Sequence, residues 1–478
     1  MPRFAVSLRV SLRLSAFLLV CAATSSPTPA AADGLQGLRL PVGELLVADG
    51  QVVGETFDMP TALPAALAAT RPGDGLRLPE LPVAPGLRRS VELRHVDIYA
   101  AGARLWHVDG DTVQEVPRTE KRYFLGADAA DPSRRVGLWL EPSGRLGGVI
   151  TGPEGTFELD VTASGAQRLL KLGQDTPKLE AGCALSDQEK VYLPWSDPAW
   201  LEPSTASRDS APAPAKRGAT PTYQAVIAVD TDTEMMSLAF KNDTSAAASW
   251  IGDLFTSMNV FYERDLDTSL VQGETFFRTE SDSYSGGSGA SAAQLNEFAS
   301  FWSTNYGAVD RVFAMLLSGK SSSPFSASGI AYVAGGGISP GAGVATYCST
   351  SSGYSVNQVF YAFGASASAL LVGHEIGHNA GSSHTHCYVP AIDMCFGQEF
   401  LCYGGPTSCP MEGSGTIMSY CNFSSGCGTT SRLEFHPRVI ANIGFNIVAS
   451  HPECIDDYEN PEIFGDGFES GDTSRWTG

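Results

Sequence analysis

The chain has 478 residues, with 31 Lys+Arg against 52 Asp+Glu and a formal net charge of −21. That length implies two or three domains, and a hydrophobic content of 43% suffices for packed cores. The acidic balance excludes a nucleic-acid binder, which needs a basic footprint, and adhesion to anionic membranes; it marks a soluble, self-repelling surface.

Residues 1–32 read as an export signal. Arg3, Arg9 and Arg13 supply positive charge, residues 14–23 an apolar core, and Ala30-Ala31-Ala32 a small-residue cleavage site before Asp33. No other stretch is apolar for long enough to span a bilayer. Export predicts a secreted protein, extracellular or periplasmic, in which disulfides are permitted. Ten cysteines are present. Cys21 leaves with the signal. Eight cluster late in the chain, from Cys348 to Cys454, and allow 105 connectivities. Cys183 is the odd one.

Residues 33–200 alternate apolar and polar residues in strand fashion, as in Val91–Tyr99, Arg135–Leu140 and Thr156–Val161. A β-rich domain without a catalytic constellation is expected. His95 and His107 stand isolated in it and read as ordinary packed or surface residues. Residues 201–221 are rich in Pro, Ala and Ser, which marks an extended linker and a domain boundary. Lys216-Arg217 offers a basic cleavage point within it.

From Tyr223 the pattern changes to alternating strands and helices, which argues α/β. Strands are expected at Tyr223–Asp232, Leu266–Phe277, Arg311–Leu317, Gly329–Val333 and Gly343–Tyr347. Helices are expected at Thr244–Glu263, Gln294–Trp302, Gly364–Ala380 and 437–449. Residues 385–414 are rich in Cys and Gly and read as irregular, stapled chain. Residues 455–478 form an acidic tail, with disorder the default reading.

Residues 374–384 read HEIGHNAGSSH. His374 and His378, four apart on a helix, put both imidazoles on one face. Glu375 is offset around the helix and better placed to hold water than to bind metal. Gly381 lets the chain leave the helix in the left-handed conformation, so that His384 returns as a third ligand. Three protein ligands with one open position are the pattern of a catalytic zinc. Downstream, residues 415–421 read GTIMSYC and contain Met418. Together these residues resemble the metzincin metallopeptidases, and most closely the secreted bacterial relatives of the reprolysin (adamalysin) group, over roughly residues 222–454.

The resemblance implies an α/β catalytic domain, a twisted mixed sheet with an active-site helix and a C-terminal helix, preceded by a β-rich prodomain. It implies a zinc endopeptidase acting on protein or peptide substrates through a zinc-bound water activated by Glu375. Met418 would form a hydrophobic floor beneath the zinc. Tyr420 stands where the astacin and serralysin relatives carry a tyrosine that contacts zinc or steadies the transition state. The strand Gly329–Val333 would be the sheet edge to which substrate adds. Cys348–Cys454 is the long-range disulfide the resemblance favours, and calcium is a second cation it admits. Residues 33–200 would be a propeptide, and the Cys183 thiolate, a good zinc ligand, a candidate latency thiol at the open position. Thr385 stands where reprolysins carry Asp. His386 falls outside the ligand set, and His436 caps or packs. A monomer is expected. The competing readings are a non-catalytic zinc-binding adhesion domain, against which Glu375 speaks, and a zinc hydrolase of non-peptide substrates.

Overall fold

In the computed structural model the described residues are 39–162, 164–172, 180–183, 220–334, 346–399, 402–409, 415–421, 427 and 432–458. The segment expected to be an export signal, Lys216-Arg217 and the residues beyond Tyr458 lie outside them.

The N-terminal part contributes β1 (Val42–Ala48), β2 (Gln51–Phe57), α1 (Ala62–Ala68), β3 (Gly75–Ala84), β4 (Leu87–Val96), β5 (Leu105–Asp109), β6 (Thr112–Val116), β7 (Arg122–Asp128), β8 (Arg135–Leu140), β9 (Leu146–Gly152), β10 (Gly155–Val161), β11 (Gln167–Lys171) and β12 (Glu180–Cys183). Nine of these strands form one antiparallel sheet in the order β1-β2-β11-β10-β9-β8-β7-β4-β3. β8 is buried along its whole length, because both faces of the sheet are covered. One face packs Leu63 and Leu67 of α1 against Phe124, Val136 and Leu138. The other face belongs to a core shared with the C-terminal part, in which Tyr123, Leu125, Trp139 and Val149 meet Ile251, Phe255 and Phe261.

The C-terminal part supplies β13 (Tyr223–Thr231), α2 (Thr244–Leu266), β14 (Thr268–Arg278), α3 (Ala292–Asn305), β15 (Phe313–Ser318), β16 (Ser326–Ala331), β17 (Tyr354–Gln358), α4 (Ala365–Asn379), α5 (Pro437–Ser450) and β18 (Asp456–Asp457). The second sheet is mixed, in the order β12-β16-β17-β15-β13-β14-β5-β6, with β18 pairing to β13. β13, β14, β15 and β17 are parallel neighbours, and β16 runs antiparallel to β17. β13 reads as a near-continuous apolar run because helices cover both faces of a parallel sheet.

Local chemistry sets the helix ends. Asp243 caps α2 by accepting from the Ser245 and Ala246 amides, and Asp267 ends it in the left-handed conformation with φ 52°. That turn carries the helix past Glu263, where the sequence pattern ended it. Ser291 and Gln294 form a capping box at the start of α3. His436 caps α5, its Nδ1 accepting from the Arg438 amide, with Pro437 at the first helical position.

Two expectations need correction. Thr346–Cys348 form a turn rather than the end of a strand; Gly343–Ala345 lie outside the described residues. The strand there is β17, whose pairing is tertiary. β16 is not the sheet edge, because β12 pairs with it in parallel, Cys183 standing opposite Gly329. The N-terminal region is β-rich as expected, and its β5 joins the second sheet, pairing in parallel with β14.

The eight late cysteines pair as Cys348–Cys454, Cys387–Cys402, Cys395–Cys421 and Cys409–Cys427. The first ties the end of α5 to the turn before β17, the pair implied by the resemblance. The other three staple the irregular chain after α4.

Candidate metal centre

Helix α4 carries the centre. Its first half, ASASALLVG, is small and apolar, which lets it pack closely under the sheet. Two glycines are required by that closeness. A Cβ on Gly373 would lie 2.6 Å from the Phe261 ring, and one on Gly377 would lie 2.6 Å from Met418 Sδ. The helix ends at Gly381, with φ +106°. The Gly381 amide donates to the His378 carbonyl at 2.9 Å and the Ser382 amide to the Gly377 carbonyl at 3.0 Å, a reversal of the kind glycine permits at a helix C-terminus.

That reversal brings His384 to the face of α4 that carries His374 and His378. The ring centroids are 4.7 Å apart for His374–His378, 4.6 Å for His378–His384 and 5.2 Å for His374–His384. All three rings are buried. Each has one nitrogen committed to an acceptor. His374 Nδ1 donates to the Ile417 carbonyl at 2.6 Å, His378 Nδ1 to the Ser382 carbonyl at 2.6 Å, and His384 Nδ1 to the Glu399 carboxylate at 2.9 Å. A carbonyl oxygen only accepts, so Nδ1 holds the proton and Nε2 presents its lone pair. Nε2 of His378 and His384 are 3.1 Å apart, and Nε2 of His374 is buried without a hydrogen-bond partner. Two lone pairs facing each other need a shared cation. Tetrahedral zinc with Zn–N near 2.0–2.1 Å sets its nitrogens ~3.3 Å apart, and the three histidines offer ligand atoms within 4.8 Å of one another. The donor set therefore fits zinc.

Burial keeps the rings in the ligand form. It pushes His374 down to about 3, with the neighbouring His384 adding to the shift. His378 is lowered well below its ordinary value by burial, with His384 and His374 adding to the shift. His384 is lowered by burial although Glu399 pulls the other way. At Glu399, burial alone would raise the carboxyl, but His384 and His386 outweigh it and hold it well below the usual range. We read the pair as neutral imidazole donating to carboxylate.

Glu399 is the residue the sequence reading missed. It is one of two carboxylates between Cys387 and Cys402, and its Oε2 accepts from both His384 Nδ1 and His386 Nε2, the latter at 2.7 Å. Its only sequence signal is position inside a short disulfide loop beside the third ligand. His386 thus stands beside His384, rings stacked 5.3 Å apart, with its Nε2 bonded to Glu399. Thr385 donates from its amide to the Met418 carbonyl at 2.9 Å and from its hydroxyl at 3.2 Å, which ties the ligand segment to the turn at Met418. Met418 is fully buried. The Tyr420 ring packs 4.1 Å from the His384 ring and 6.2 Å from the His374 ring.

Glu375 is fully buried beside β16. A Cβ on Gly329 would lie 2.2 Å from its Oε1 and 2.6 Å from its Cγ, so only glycine leaves this carboxylate its place. Gly329→Ala should displace that group and lower the kcat of a reaction that uses it by the order of tenfold, with a smaller effect on the unfolding midpoint, since a side chain yields before backbone does. Parallel kinetics and thermal melts check it; an unchanged kcat would contradict the contact.

Two other groups have metal-ligand spacing among the described residues, but each includes a cysteine already in a disulfide: Cys387 in one, Cys395 and Cys421 in the other. Nothing among the described residues supports calcium. His95 and His107 bond to Thr70 and Thr279 and take no part in the centre. Of Cys183 the backbone is described, and it is brought opposite Gly329.

Residues 221–431 match the metallo-peptidase family M12, in its Reprolysin_5 model. No curated protein sequence matches the chain. Among solved structures, metalloproteinase-II from Bacteroides fragilis aligns with a TM-score of 0.33 and 10% identity, over 65% of this chain and 81% of that one.

Proposed function

We propose, with residues 221–431 resembling the M12 metallo-peptidases, that this chain is a secreted zinc-dependent endopeptidase of metzincin type, made as a zymogen. The observation that carries the reading is the commitment of all three Nδ1 protons to fixed acceptors, which leaves three Nε2 atoms for one cation. Glu375 beside them favours catalysis over a zinc-binding adhesion domain, which needs no base.

His374, His378 and His384 would hold the zinc. When bound, it supplies a Lewis acid that polarises a carbonyl and brings the pKa of water towards about 7. Glu375 takes a proton from the attacking water and hands it to the leaving amine. Its burial against Gly329 keeps bulk water from competing. Met418 closes the floor of the centre, and Tyr420, packed on the His384 ring, is assigned to steadying the tetrahedral oxyanion.

The zymogen reading divides the chain into export signal (1–32), propeptide region (33–200), processing linker (201–221), peptidase (222–454) and acidic tail (455–478). It is supported by the pairing of β12 along β16, the strand to which an extended substrate would add. Cys183, level with Gly329, is the candidate latency thiol. Four disulfides fit an oxidising compartment, and among the described residues no helix is long and apolar enough to cross a membrane.

The test is digestion of a peptide library by the chain cut at the linker. Cleavage that disappears with a chelator and returns with zinc is expected. Metal-dependent release from esters or sugars without peptide cleavage would sink the peptidase reading.

A further inference from the structure

A propeptide in the ordinary sense leaves once it is cut. We propose that residues 39–172 do not leave: the β-rich region is a permanent, non-covalently held subunit of the enzyme, and processing removes at most the segment that carries β12. The proposal rests on the zymogen reading for the cut itself; the geometry below stands without it.

Helix α2 is the reason. It has no water-facing side in its second half. One side holds α4, where the Tyr262 hydroxyl donates to the Gly373 carbonyl at 2.8 Å. A second holds β14, where Asn259 exchanges hydrogen bonds with Leu270 at 2.8 and 2.9 Å. The third belongs to the β-rich sheet. It is the stripe Gly252, Thr256, Val260 and Glu263, at helical spacing.

The contact along this stripe is at backbone range. A Cβ on Gly252 would lie 2.2 Å from the Tyr123 hydroxyl, and one on Gly137 of β8 would lie 3.0 Å from Val260 and 3.1 Å from Thr256. Buried charge follows the same line. Glu263 meets Arg94 of β4 at 2.9 Å and Arg135 of β8 at 3.6 Å, and Asp253 meets Lys121 at 2.7 Å. Dissociation would leave these groups without partners and return the apolar faces of Tyr123, Trp139 and Phe255 to water.

The second attachment is main-chain. β5 pairs with β14 over Leu105–Val108 against Thr275–Arg278. His107 Nε2 and Thr279 Oγ1 are 2.8 Å apart, and Trp106 donates to Glu274. Without β5, β14 becomes a bare edge of hydrogen-bonding groups. A third hold comes from just beyond the peptidase, where Arg94 donates to the hydroxyl of Tyr458 at 2.7 Å. By contrast, the described strand of the latency segment, β12, has four residues and is held by pairing with β16.

The experiment uses the full chain with Glu375→Gln, to prevent self-digestion, and a sequence-specific protease site placed at Lys216-Arg217. After complete cutting, the two fragments should co-elute in size exclusion at micromolar concentration and separate only in denaturant. Elution of the N-terminal fragment alone in native buffer would overturn the proposal. In the same chain, Arg94→Ala with Arg135→Ala strands Glu263 and should convert co-elution into partial release; cut fragments as tightly joined as the parent would overturn the assignment of this stripe as the hold. Neither readout needs activity, so failure of the peptidase reading would leave both results standing.

Discussion

Glu375→Gln should keep zinc stoichiometry at the parent level while kcat/KM on a fluorogenic peptide falls by about 10²–10⁴-fold, the range for loss of a general base. The separation of the two readouts follows from geometry. The proposed ligands are three imidazoles whose outer nitrogens bond Ile417, Ser382 and Glu399, none of which is Glu375. The amide has nearly the shape of the carboxylate and fits the same place against Gly329, so the fold has no reason to respond. What is lost is a lone pair basic enough to take a proton. Metal analysis and kinetics on one preparation decide the matter. A variant that lost its zinc, or that kept its activity, would remove Glu375 from the role of base.

Glu399→Ala should weaken zinc binding by about 10- to 100-fold, the usual effect of removing the carboxylate behind a ligating histidine. Glu399 fixes which nitrogen of His384 carries the proton. Without it, the ring is freed to rotate or to protonate at Nε2, the position the metal needs. His386 loses its acceptor as well, and its ring, stacked on His384, would compete for the space. Chelator competition measures the affinity directly. Glu399→Asp should recover part of it and Glu399→Gln less, because an amide oxygen is a weaker acceptor than a carboxylate. Equal affinity in all three variants would show that the ring needs no such partner.

What the sequence made legible follows periodicity and local chemistry. The expected strand Arg135–Leu140 is the observed β8. Helix α4 was readable to a residue at each end, because Gly364 and Gly381 bound it. The convergence of His374, His378 and His384 was readable because two of them share a helical face and the third follows a glycine that can turn the chain. The misses are contacts that no local pattern encodes. β5 has an ordinary strand composition, but its choice of β14 is a property of the assembled core. β12 is four residues, EAGC, too short for alternation to show. Glu399 reaches His384 only because Cys387–Cys402 folds its loop back on the ligand segment.

The joining of β5 to β14 also bears on how the molecule comes to exist. Arg104 and Glu274, at the margin of that pairing, are 170 positions apart, so the ladder closes only after most of the polypeptide has been made. Contacts at such separation carry a large loop-closure cost and slow the search. Refolding from urea should accordingly be slow and prone to precipitation. Residues 220–458 produced alone, with β14 lacking its neighbour, should collect as insoluble material that co-expression of residues 39–172 returns to solution.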